Sequence, residues 1–225
     1  MHILLTNDDG VSARGIGILE EVMSVHADKV TVVAPVGQRS AASHSMSINK
    51  DLYCQEIESN YPNVRKFSVN GTPVDCVKTA LEFFLADDMP DLIISGINDG
   101  YNLGSDVLYS GTVSAAMEGP YYQMPAIAVS IGKLTEVRGY ETAGLVAEII
   151  DRVIVGGKFP GILNVNVPGK KGKISIDNVV VVPQAVQIYR NVILQKKDRD
   201  GATCFRVVGD SDMSTAPQFS DIAGI

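Results

Sequence analysis

His2-Ile3-Leu4-Leu5-Thr6-Asn7-Asp8-Asp9-Gly10 is the stretch on which the fold turns. Its apolar run is too short to span a membrane and suits a strand buried on both faces. The run stops abruptly at an amide, two carboxylates and a glycine. Open α/β sheets bind ligands in the crevice beyond the C-terminal ends of such strands. Asp8 and Asp9 therefore belong at the mouth of a site, with Gly10 making the turn that follows. Adjacent carboxylates repel, and a hard divalent cation with oxygen ligands relieves that repulsion. A solvated Asp-Asp-Gly turn is the plainer reading of the same residues.

Downstream, Ile16, Leu19, Val22, Met23 and Val25 recur at helical spacing over Ile16 to His26. Lys29 to Pro35 then reads as a second strand, which completes a right-handed βαβ unit. No G-x-G-x-x-G follows the first strand, so a Rossmann-like sheet is expected without a dinucleotide fingerprint. The second strand opens into Val36 to Ser45, a loop rich in small residues and hydroxyls. A hydroxyl there can reach a metal or an anion, although a polar connector with local serine turns is the simpler reading. His44, one of three histidines, reads as structural or solvated. Met46-Ser47-Ile48 and Lys66 to Val69 look like short strands of a side hairpin.

Asn70-Gly71 marks a turn, Thr72 an N-cap and Pro73 the first helical position of a helix to about Ala86. Asp75 falls in its first turn, where the helix dipole favours a carboxylate, so it reads as a capping group. Asp91 to Gly96 is another buried strand, opening into Ile97-Asn98-Asp99-Gly100-Tyr101-Asn102-Leu103-Gly104. Asn98 offers a neutral oxygen at a level comparable to the carboxylates of the first strand end. Ser110-Gly111-Thr112 starts an alanine-rich helix, and free amides at such a start suit an anion. Plain capping by Ser110 or Thr112 is compatible with that role. Pro125 to Ser130 and Gly161 to Pro168 are further strands, and Glu136 to Val155 is a helix ending at Gly156-Gly157.

Beyond Pro168 the pattern changes. Lys173 to Val182, Ala185 to Gln195 and Thr203 to Val208 read as strands, the last two joined by the polar turn Lys196 to Gly201. The whole chain, 1–225, is thus expected to be one α/β domain: a core over about 1–168 and a β arm over about 169–225. The fold class is α/β, a Rossmann-like three-layer sandwich with a mostly parallel sheet and a C-terminal β-rich extension. A bare β arm is a liability unless it pairs, so an oligomer is expected.

Composition narrows the function. The 225 residues are 45% hydrophobic and 20% charged, with net charge −7. The pI of about 4.9 argues against a broad face for nucleic-acid polymers. No window approaches a membrane helix, and the first apolar run is too short for a secretory leader. Cys54, Cys76 and Cys204 lack metal-ligand spacing and are odd in number, which suggests reduced thiols in a cytoplasm.

Taken together, these segments resemble the SurE family, the survival-protein-E nucleotidases. The resemblance rests on Leu5 to Gly10 (Leu-Thr-Asn-Asp-Asp-Gly), Ala34-Pro35 with Arg39-Ser40, and Asn70 to Val77 (Asn-Gly-Thr-Pro-Val-Asp-Cys-Val). It continues through Ser95 to Asn98 with Gly100, Asn102 and Gly104, then Tyr109 to Gly119, and finally Leu163 to Pro168. The motifs stand in family order over most of the chain. The resemblance implies a metal-dependent 5′/3′-nucleotidase, an acid-phosphatase-like phosphoric monoester hydrolase acting on nucleoside 5′- and 3′-monophosphates, with some members also using polyphosphate. It implies a homodimer or homotetramer with an exchanged C-terminal segment. Carried over residue by residue, it implies metal ligands Asp8, Asp9, Ser40 and Asn98 for Mg2+ or Mn2+. It also implies that Asn102 with Ser110, Gly111 and Thr112 binds phosphate; in a metal-assisted hydrolysis built on these residues, Asp8 or Asp9 is the candidate general base. The chain departs from the family where Val36-Gly37-Gln38 precede the Arg-Ser pair and Ala41 follows it. It departs again at Ser220-Asp221-Ile222, where the family's closing strand would continue and this chain stops at Ile225.

Two other readings use the same residues. A haloacid-dehalogenase-like phosphatase would employ Asp8 as covalent nucleophile, but its usual second aspartate would fall at Gly10. A nucleotide-binding sensor would use the same loops without turnover.

Overall fold

The computed structural model describes residues 1–155, 159, 161–169, 172–186, 188–189, 192–208, 211–212 and 216–224. Along the chain run β1 (His2–Thr6), α1 (Arg14–His26), β2 (Lys29–Pro35), β3 (Cys54–Ile57), β4 (Val64–Val69), α2 (Pro73–Thr79) and β5 (Leu92–Asp99). Then come α3 (Gly111–Ala116), α4 (Glu118–Tyr121), β6 (Ala126–Ile131), α5 (Glu136–Ile149), β7 (Ile162–Val167), β8 (Ile188–Tyr189), β9 (Val192–Lys197), β10 (Thr203–Val208) and β11 (Ser211–Asp212).

Seven strands form one sheet in the order β3-β4-β2-β1-β5-β6-β7. All neighbours pair in parallel except β3, which runs antiparallel to β4 at the edge. Side chains alternate between the two faces of a strand, and the apolar run of β1 feeds both. Ile3 and Leu5 join a core with Ile16, Leu19 and Met23 of α1 and Val146 and Ile149 of α5. Leu4 joins the opposite core with Cys76 and Val77 of α2 and Val113 and Ala116 of α3. Helices therefore cover both faces, the three-layer arrangement expected. Each fully buried aliphatic side chain stabilises the fold by roughly 1.5–3 kcal/mol, so the uninterrupted run 3–5 anchors both layers at once.

The chain moves outward from β1 in both directions: β2 lies on one side and β5 on the other. This reversal of strand order is the topological switch point, and the C-terminal ends of β1 and β5 open there side by side.

Local structure departs from the sequence pattern at four places. Val25 is exposed, because α1 turns its buried stripe through Ile16, Ile18, Leu19 and Met23. Met46-Ser47-Ile48 is not a strand; the Ser47 amide donates to the Asp75 carboxylate at 2.8 Å, and the edge strand forms instead at Cys54–Ile57. The Asp91–Gly96 run extends to Asp99, with a shift in register against β6 between Ser95 and Asn98. Lys173 to Val182 is irregular around a short 3-10 turn, Ile176–Asn178, where the Asp177 amide donates to the Ser175 hydroxyl. The expected helix end at Gly156-Gly157 lies outside the described residues, as do parts of Ala185 to Gln195.

The chain divides into two compact units. The first comprises 1–102 and 107–180 and holds the seven-stranded sheet; the second comprises 103–106 and 181–225. In the second, β9 and β10 form an antiparallel hairpin closed at Asp198 to Gly201, and β8 pairs with β11. There Asp221 accepts from the Gly104 and Ala185 amides at 2.7 and 2.8 Å. Among the described residues no helix is long and apolar enough to cross a membrane.

Candidate active site

The turn after β1 is stapled by Asn7. Its side-chain amide donates to the Gly10 carbonyl at 3.0 Å, and its side-chain oxygen accepts from the Gly10 amide at 3.1 Å. Gly10 has φ +106°, and a Cβ there would come within 3.0 Å of Gly37, so only glycine fits this turn without strain. The staple fixes the direction in which Asp8 and Asp9 leave the sheet.

Asp8 is buried against the start of α3. The Thr112 hydroxyl donates to its Oδ1 at 2.6 Å, and the Thr112 backbone also hydrogen-bonds to the carboxylate. Gly111 packs so closely that a Cβ on it would stand 2.8 Å from the Asp8 Cβ and 3.2 Å from Pro73. Burial raises the Asp8 pKa above the ordinary carboxylate value, opposed by the hydrogen bonds from Thr112. Asp9 is half-buried and is raised too, first by burial and then by the charge of Asp8. The Asp99 backbone and the Gln38 side chain hydrogen-bond to Asp9 and oppose that rise.

The other residues singled out by sequence are placed less uniformly. Asn98 is the penultimate residue of β5, paired with Ser130 of β6, and its side-chain amide donates to the Gly100 carbonyl at 2.8 Å. Ser40 lies on the exposed loop after β2, one residue beyond Arg39, whose amide donates to the Asp8 carbonyl at 2.7 Å. Ser110 caps α3, its hydroxyl accepting from the Val113 amide at 3.1 Å. Asn102 is buried in an asparagine cluster. Its side chain donates to the Ser130 hydroxyl at 2.8 Å, and its carbonyl accepts from Asn164 and Asn166 at 2.9 and 3.0 Å.

The structure thus joins Asp8, Asp9, Gly111 and Thr112 directly, and brings Asn98 to the neighbouring strand end. Ser40 is tethered through its neighbour, and Asn102 is engaged in holding its own loop. Sequence reasoning missed Gln38 and Asp99 beside Asp9, and Asn164, Asn166 and Ser130 around Asn102. The alternation Asn164-Val165-Asn166 was the available signal: two amides on one face of a strand otherwise built for burial. Thr112, expected from the sequence to bind an anion or cap the helix, also clamps Asp8.

A family model described as Survival protein SurE matches residues 3–191. The chain belongs to the SurE family. A Clostridium botulinum protein named 5′-nucleotidase SurE is 39% identical over 213 residues, spanning 93% of this chain and 83% of that one. A protein of the same name from Heliobacterium modesticaldum is 40% identical over 232 residues, spanning 100% and 82%. The crystal structure of the SurE protein from Aquifex aeolicus superposes with a TM-score of 0.80 at 31% identity, covering 99% of this chain and 88% of that one. The SurE match takes in every residue of the site described above, from Asp8 to Asn166.

Proposed function

We propose that this SurE-family chain is a phosphomonoesterase that hydrolyses nucleoside 5′- and 3′-monophosphates to nucleoside and phosphate. One observation carries the proposal. Two carboxylates sit at the switch point of the sheet in a chain that is 39–40% identical, almost throughout, to relatives named 5′-nucleotidase SurE.

The donor chemistry fits a hard divalent cation. Asp8 and Asp9 offer carboxylate oxygens whose ionisation is opposed by burial and, at Asp9, also by the charge of Asp8, an opposition a cation would relieve. Among the described residues no group of three His, Cys, Asp or Glu side chains is placed to hold a metal ion, so the proposed shell draws on neutral oxygens as well. Asp8, Asp9, Ser40 and Asn98 would hold Mg2+ or Mn2+. When bound, such an ion neutralises charge on the phosphoryl group and makes a coordinated water more acidic.

The chain's own residues do the rest. Thr112 and Gly111 fix Asp8 so that one orientation of its carboxylate persists. Asp9, less buried, takes the proton of the attacking water. The Ser110 to Thr112 turn and the loop held by Asn102 receive the remaining phosphate oxygens. Asn102 acts there mainly by fixing backbone, since its side-chain amide is engaged with Ser130.

Two further elements belong to the proposal. The β9–β10 hairpin exposes Ile193, Leu194 and Phe205, apolar surface that suits pairing with a second copy in a homodimer or homotetramer. Cys54, Cys76 and Cys204 are all free thiols, which suits the reducing cytoplasm.

The test is phosphate release from a panel of nucleoside 5′- and 3′-monophosphates and polyphosphate, with Mg2+, Mn2+ or EDTA. Release from the monophosphates that EDTA abolishes is expected. Tight nucleotide binding without release under either metal would replace the enzyme with the sensor reading. EDTA-insensitive release with a trapped phosphoaspartate would replace the water mechanism with the covalent one.

A further inference from the structure

His44 does not stand free on its loop. Its Nε2 lies 2.5 Å from Oε1 of Glu118, the first residue of α4. Glu118 is 6% exposed, so its charge is held in the protein interior. Its other oxygen lies 4.0 Å from Lys78 of α2, and Lys78 in turn contacts Glu82 and Tyr122. These are the charged and titratable groups that the structure places around the pair. A buried carboxylate behind an imidazole fixes the ring and its tautomer. With Nε2 turned inward to Glu118, Nδ1 is the nitrogen left to face outward, and the side chain is 35% exposed.

The loop carrying His44 is stitched to the walls of the Asp8 site on both sides of the histidine. Before it, the Arg39 amide binds the Asp8 carbonyl, the Ser43 amide binds the Tyr109 carbonyl at 3.1 Å, and the Ser43 hydroxyl binds the Leu108 carbonyl at 2.7 Å. After it, the Ser45 carbonyl accepts from the Thr72 hydroxyl at 2.7 Å. Tyr109 leads directly into Ser110 and Gly111, and Thr72 into Pro73. Gly111 packs against both Asp8 and Pro73. The loop at His44 is therefore held beside the residues that lead into α2 and α3.

We propose that His44 is the general acid of the reaction, donating its Nδ1 proton to the departing ribose oxygen, and that buried Glu118 is its positioning residue. This rests on the phosphomonoesterase reading above. In the step, the water oxygen forms a bond to phosphorus while the bond from phosphorus to the ribose oxygen breaks. The imidazolium proton goes to the leaving oxygen, the water proton goes to Asp9, and both groups then re-equilibrate with solvent. The net change is addition of water across the ester. No residue previously assigned to the site protonates the leaving group, and an alkoxide is a poor one.

The test compares two esters. A nucleoside 5′-monophosphate leaves as an alkoxide and needs the proton; p-nitrophenyl phosphate leaves as a stabilised phenolate and needs it little. With metal supplied, His44→Asn should lower kcat on the nucleotide by about 10²- to 10³-fold. On p-nitrophenyl phosphate the loss should be at least tenfold smaller. Glu118→Gln keeps a hydrogen-bond acceptor and should show the same ester pattern with a smaller loss. Thermal melts of both variants confirm that folded protein is assayed. Equal losses on the two esters, in either variant, would overturn the proposal and leave the pair as a structural clasp. If wild-type protein releases phosphate from neither ester, the phosphomonoesterase reading has failed, and the proposal with it.

Discussion

The two walls of the site are built differently. On the α3 side, Asp8, Ser110 and Thr112 are buried, Gly111 is wedged between Asp8 and Pro73, and the Asp8 carboxylate is held by backbone and hydroxyl together. On the other side, residues 36–41 after β2 are exposed, and the wall is tied down by a few contacts: the Arg39 amide on the Asp8 carbonyl, the Arg39 side chain on the Asn70 carbonyl and the Gln38 side chain on Asp9. The first wall is set before any ligand arrives; the second is free to adjust to one. Catalysis depends on reacting groups held within fractions of an ångström, so the rigid wall should govern turnover and residues 36–41 should govern metal affinity.

The sharpest way to break that contrast is Gly111→Ala. The added methyl has nowhere to go without displacing Asp8 or Pro73. A misplacement of about 1 Å costs on the order of 10²-fold in rate, so kcat should fall by about that factor. The KM should change far less, and the melting temperature should drop. Thr112→Val comes next. It removes the 2.6 Å hydroxyl contact while keeping the shape and the backbone bond, and should lower kcat by about tenfold, equivalent to one charge-assisted hydrogen bond. Ser40→Ala sharpens the comparison from the opposite side. Its side chain is exposed, so thermal stability should stay within about 0.5 kcal/mol of wild type, and the effect should appear as a higher Mg2+ or Mn2+ concentration at half-maximal rate.

The smallest effect concerns stability without metal. Burial and the charge of Asp8 raise the Asp9 pKa. A carboxyl raised in the folded state binds more protons folded than unfolded. Metal-free stability therefore falls as pH climbs from the ordinary carboxylate value through the raised one, and the penalty is complete above it. Asp9→Asn removes the penalty. In EDTA at neutral pH the variant should melt a few degrees above wild type, and the difference should vanish in acid below the ordinary carboxylate range.

The rigid wall was also the more legible one in sequence. The apolar run of β1 ending in Asn-Asp-Asp-Gly, and Ser-Gly-Thr before an alanine-rich segment, are local patterns whose meaning survives folding. Thr72-Pro73 with Asp75 likewise forms the capping box that its order suggests. Where local pattern misled, a tertiary partner intervened or none existed. Ser47 was drawn to Asp75 instead of pairing in a sheet, and the valine-rich segment through Val182 found no strand to pair with among the described residues. Asn102, Gln38 and Asp99 acquire their roles only through neighbours distant in the chain. His44 is the clearest case: 74 residues separate it from Glu118, and nothing local distinguishes it from a solvated histidine.

The central claim is that Asp8, preset by α3, is indispensable to the reaction. Phosphate release from a nucleoside 5′-monophosphate by Asp8→Asn, with Mg2+ or Mn2+ supplied and folding verified by its melt, tests it most directly. The account predicts a folded protein whose kcat/KM is lower by about 10³-fold or more, some 4 kcal/mol of lost transition-state stabilisation. A folded variant that retains a kcat/KM within tenfold of wild type would contradict it.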